Sequence, residues 1–142
     1  YEPLPSIPTI SNAMDVGAPS NFARMKDIFG DNWEAMRENI SGLAFDDGET
    51  RQAVRAVKEE TGYTIDPHGA LGILAADAWH QASPSDECII LETAHPSKFL
   101  PTMEEELGTG SVEIPERLAC LADLPKEAHP VSTDPKEILK FL

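Results

Sequence analysis

Three short polar segments hold the side chains best suited to chemistry. Ser11-Asn12-Ala13-Met14-Asp15 sets a hydroxyl, an amide and a small residue in a row. A small residue lets a flat ring approach the backbone, and amide groups suit a carboxylate or a phosphate. Thr93-Ala94-His95-Pro96-Ser97-Lys98 follows directly behind the apolar run Cys88-Ile89-Ile90-Leu91. Ligands of open parallel sheets sit at the carboxyl ends of the strands, so a Thr93 hydroxyl at that rim can face a heterocycle without adding charge. Equally, Thr93 can cap a helix that starts at Pro96. His95 suits a ligand oxygen or simple loop packing, and Lys98 a local anion contact or a surface position. Asp66-Pro67-His68 is the third segment; an aspartate before a proline caps a helix with no function required, and His68 reads as a packing residue.

The intervening pattern says what positions these groups. Three prolines in the first nine residues, Pro3, Pro5 and Pro8, mark an irregular arm. Ser20 precedes Phe22, Met25, Ile28 and Phe29 at helical spacing, and Gly30 ends that helix. A second helix runs from Asn32 to about Asn39, and Ile40 to Phe45 suits a short strand. Asp46-Asp47 caps a strong helix carrying Ala53, Val54 and Val57, which Gly62 closes. Tyr63 to Ile65 reads as a short strand. The helix opened by Asp66 is apolar around much of its circumference, which predicts burial. Cys88 to Leu91, apolar throughout, predicts a central parallel strand. Helices at about 96–107, 115–123 and 134–141 follow. The expectation is an α/β fold: a partial parallel sheet flanked by helices over residues 1–95, then a helical tail over 96–142 packed on it.

The 11–22 and 92–99 segments closely resemble the threonine synthases, pyridoxal-phosphate enzymes of fold type II. The resemblance runs on through Asp46-Asp47, Gly62-Tyr63, Asp66-Pro67-His68 and Leu121-Ala122-Asp123-Leu124-Pro125. It covers the final third of such an enzyme, so it implies a C-terminal fragment. The implied parent is a lyase of amino-acid biosynthesis, making L-threonine and phosphate from O-phospho-L-homoserine and water. The resemblance assigns Thr93 to the pyridine nitrogen of the cofactor, with Ser11, Asn12, Ala13 and His95 as neighbours. A turn leading into the Ser20 helix explains Ser11 to Asp15 almost as well. The cofactor lysine and the glycine-rich phosphate loop belong to the missing N-terminal part, so this chain alone is expected to be inactive and without cofactor. Lys98 is not expected to be the cofactor lysine, and Gly108-Thr109-Gly110 lies in surroundings too acidic to cradle a phosphate.

Composition narrows the alternatives. Eleven basic against 25 acidic residues, a net charge of −14, argue against nucleic acid, whose phosphates require clustered Lys and Arg. No apolar run suits a membrane span, and two cysteines predict buried free thiols rather than a disulfide framework. The chain reads as cytoplasmic. Isolated histidines, the absence of C-x-x-C spacing and the absence of a nucleotide-loop or G-x-S-x-G motif leave no case for a metal, a nucleotide or a serine hydrolase. Two other classes remain open: an autonomous small-molecule-binding module, and an interaction module whose exposed sheet edge pairs with another copy.

Overall fold

Cap residues decide where the helices begin and end in the computed structural model, which describes residues 2–141, with the backbone alone at Phe141. Helix α1 (Phe22–Phe29) stops at Gly30, whose φ of 61° suits a residue without a Cβ. Helix α2 (Trp33–Asn39) starts where the Asn32 side chain accepts the Ala35 N–H at 3.1 Å. At the head of α3 (Asp47–Thr61), Asp46 accepts the Glu49 N–H and Glu49 accepts the Asp46 N–H, both at 2.8 Å. That reciprocal box satisfies two backbone donors that the helix itself cannot. Gly62, at φ 75°, closes α3 in the left-handed region. Asp66 then caps α4 (Pro67–Ala82), with Pro67 in the first turn. Beyond a turn at 83–86 the chain is irregular as far as a 3-10 turn, Pro96–Phe99, which runs into α5 (Leu100–Leu107). Short helices α6 (Glu116–Ala119) and α7 (Pro135–Ile138) follow. Residues 116–140 are exposed along their length.

The core lies where α3, the start of α4 and α5 meet. Ala53 and Val54 come from α3, Ile65 and Ala70 from the α4 start, and Phe99, Met103 and Val112 from the segment around α5. Met103 is fully buried, and removing such a side chain from water is worth about 1.5–3 kcal/mol. Across the α3–α5 seam Arg51 pairs with Glu105 at 3.1 Å and with Glu106, and Arg55 also pairs with Glu106.

The parallel sheet expected from the sequence is not there: no strand occurs among the described residues. The segments at 40–45, 63–65 and 88–91 are irregular, because a strand exists only with a hydrogen-bonded neighbour about 4.8 Å away. Cys88 to Leu91 lies along α4 instead. Ile90 sits over Gly72, where an added Cβ would come within 2.6 Å of its Cγ2. Its neighbours Ile89 and Leu91 are 89% and 78% exposed. Burial of α4 is likewise confined to its first turn, Pro67 to Ala70, and Trp79 is 44% exposed. Both cysteines are free, as expected, but exposed rather than buried.

Candidate functional site

The first turn of α4 is the point at which two of the polar segments meet. Asp66 is fully buried. Its Oδ1 accepts the backbone N–H of His68 at 2.8 Å and lies 2.8 Å from His68 Nδ1. The other ring nitrogen, Nε2, accepts the backbone N–H of Ala13 at 3.1 Å. An acceptor at Nε2 fixes the proton on Nδ1, so the ring is neutral and donates to Asp66. His68 also stacks obliquely on Phe99, centroids 4.8 Å apart. The histidine that the sequence suggests for packing therefore joins the 11–15 turn, the α4 cap and the 96–99 turn.

Glu92 reaches the same helix end from the third direction. Although exposed as a residue, it brings its carboxyl over Gly69, where an added Cβ would fall 2.9 Å from Glu92 Cδ and 2.7 Å from Ile65 Cγ1. Only glycine leaves that space. Burial, then hydrogen bonding to Asp66 and its negative charge, push the Glu92 carboxyl up to about 8. For Asp66 burial acts upward, but hydrogen bonds from Glu92 and His68 outweigh it and hold the carboxyl below the ordinary aspartate range. Glu92 was not singled out from the sequence. Its one local signal is its position, a carboxyl between an apolar run and Thr93.

The expected site residues fall on both sides of this hub. Ser11 is buried, its hydroxyl 3.0 Å from that of Thr9. Asn12 and Ala13 are exposed in a 3-10 turn, Asn12–Met14, where the backbone N–H of Asp15 bonds Asn12 at 3.2 Å. Asp15 takes both the N–H and the hydroxyl of Thr9, at 2.8 and 2.7 Å. Thr93 and His95 line an open groove with Ala94, Ser97, Lys98 and Leu118. The cap of the 96–99 turn is His95, whose Nδ1 accepts the Ser97 N–H at 3.2 Å. That frees Thr93 from the capping role, and Thr93 is exposed. Lys98, also exposed, holds its ammonium 5.7 Å from the Phe99 ring centroid. Among the described residues no cluster of His, Cys, Asp and Glu is arranged to hold a metal ion, and no helix is long and apolar enough to cross a membrane.

The profile of the family described as threonine synthase, C-terminal, matches residues 69–142. The chain belongs to that family. It is 35% identical over its full length to the threonine synthase of Escherichia coli K12 and 32% identical to that of Serratia marcescens, covering 32% of each. It thus spans about a third of the length of these curated relatives. A crystal structure of threonine synthase from Brucella melitensis with bound pyridoxal phosphate (PLP) is similar in fold, with a TM-score of 0.58 at 24% identity, over 85% of this chain and 31% of that one. Thr93 and His95 fall inside the region matched by the family profile, whereas Ser11, Asn12 and Ala13 precede it.

Proposed function

We propose that this chain is the C-terminal part of a PLP-dependent threonine synthase that converts O-phospho-L-homoserine and water to L-threonine and phosphate in the cytoplasm. The observation that carries the reading is Thr93, an uncharged hydroxyl facing an open groove in a chain whose relatives are threonine synthases. This donor set fits the pyridine side of the cofactor. A hydroxyl can bond the ring nitrogen without supplying a charge, which leaves the ring largely unprotonated. The bound cofactor would supply an electron sink suited to elimination and replacement. Ala94 and Leu118 offer apolar wall, and His95, held by Ser97, lines the groove in a fixed orientation. On this reading Ser11, Asn12 and Ala13 are pocket neighbours that His68 anchors to α4 through Ala13.

The chain alone is inactive on this reading, because the lysine that carries the cofactor and the phosphate-binding loop belong to the N-terminal part. That part covers the apolar segment around Ile89 and Leu91, and in its absence the chain self-associates through the same surface.

The test is to express the complete protein and this chain separately, supply O-phospho-L-homoserine and PLP, and measure phosphate and threonine. Borohydride reduction and peptide mapping would follow. The expected result is turnover by the complete protein alone, with the cofactor trapped on a lysine of its N-terminal part. A stoichiometric adduct on Lys98, or no threonine from the complete protein, would overturn the reading.

A further inference from the structure

Asp66 has a second carboxylate oxygen that His68 does not serve. Oδ1 takes both bonds from His68, whereas Oδ2 is buried with no donor beyond the Glu92 carboxyl among the described residues. The group that faces Asp66 from outside α4 is the Glu92 carboxyl, pressed over Gly69. Two carboxyl oxygens can face one another closely only across a proton. The positive end of α4 supports one negative charge, and Asp66, bonded to His68, already carries it. The proton accordingly belongs on Glu92, one residue before Thr93.

We propose that Glu92 and Asp66 share a single proton that fastens the Thr93–His95 turn to the first turn of α4, and that loss of this proton releases the turn. Glu92 is thus a positioning residue for the groove, acting through the backbone it shares with Thr93. The inference rests on the cofactor reading only for what the turn is for; the proton link itself stands on the carboxyl pair.

The charged groups on the packed elements leave the pair isolated. From α4 comes His68, neutral and already bonded to Asp66. The 11–15 turn presents the Ala13 backbone, and Asp15 is bonded to Thr9. From the 96–99 turn, Lys98 lies over Phe99. In α3, Ala53 and Val54 face the core, while Arg51 and Arg55 are paired with Glu105 and Glu106 of α5. The raised Glu92 and lowered Asp66 affinities for protons described above agree with one shared proton.

The test is NMR on the full 142-residue chain, labelled with carbon-13 and nitrogen-15, following the Glu92 carboxyl carbon and the Thr93, Ala94 and His95 amides from pH 5 to 10. The expected result is one common step, near pH 8, in the carboxyl and amide signals. Glu92→Gln keeps the shape and a donor, so the amide step should vanish. Asp66→Asn should lower the Glu92 step toward the ordinary glutamate range, with burial keeping it partly raised. Titration of Glu92 in that ordinary range in the unaltered chain, or an unchanged amide step in Glu92→Gln, would overturn the proposal. Should Asp66→Asn fail to fold, the Glu92→Gln comparison decides alone. None of these signals involves the cofactor, so failure of the threonine synthase reading would leave a common step in place, and the reverse also holds.

Discussion

The Nε2 atom of His68 accepts the backbone N–H of Ala13 at 3.1 Å, across 55 residues of chain. Because Nδ1 of the same ring meets buried Asp66 at 2.8 Å, one neutral imidazole ties the 11–15 turn to the α4 cap. His68→Gln should break this link. Buried Asp66 Oδ1 would lose one of its two donors and the Ala13 N–H its acceptor, at a cost of about 1–3 kcal/mol. Urea denaturation should register that loss, and hydrogen exchange at the Ala13 amide should quicken while α3 remains protected.

The carboxyl pair sets a pH dependence of stability. Glu92 binds its proton more tightly in the folded chain, so its contribution is complete below the ordinary glutamate range and disappears as pH rises through about 8. Asp66 is shifted downward, so its contribution is present above the ordinary aspartate range and disappears in acid. Denaturation midpoints of the unaltered chain should therefore fall at both ends. Glu92→Gln should flatten the alkaline limb only, gaining stability relative to the unaltered chain as pH rises from the ordinary glutamate range to about 8.

Thr93→Val removes a hydroxyl while retaining branching and near-equal volume. A single neutral hydrogen bond is worth about 0.5–1.5 kcal/mol, so kcat/KM of the complete protein should fall roughly tenfold. The stability of this chain should hardly change, since the Thr93 side chain is exposed. Steady-state threonine formation alongside thermal denaturation checks both halves of the expectation.

Met103→Ala probes the core. Met103 is fully buried among residues of α3 and the α4 start, and truncating such a side chain costs about 2–5 kcal/mol. Chemical denaturation should show the loss as a lower midpoint.

Ile89→Lys together with Leu91→Lys tests the exposed apolar segment. Both residues are largely exposed. Sedimentation velocity should find less self-association in the doubly substituted chain than in the unaltered one. In the complete protein the same pair should weaken association between its two parts.

What the sequence determined alone is mainly local. Asp46 and Glu49 are three residues apart, Gly62 closes the helix they open, and Asp66 and Pro67 are adjacent. Such signals work because donor and acceptor are joined by a few bonds, so little chain entropy opposes their meeting. Family membership was legible for a different reason, since the 11–22 and 92–99 segments retain recognisable residues at recognisable spacing. Tertiary structure decided the rest. An apolar run such as Cys88 to Leu91 has the composition of a central strand, but a ladder requires a neighbouring strand, and here the run lies on Gly72 of α4 instead. The bond from Ala13 to His68 and the meeting of Glu92 with Asp66 depend on three distant segments converging on one helix end. No spacing in the sequence encodes that convergence; burial of Ile65, Ala70 and Phe99 in a common core brings it about.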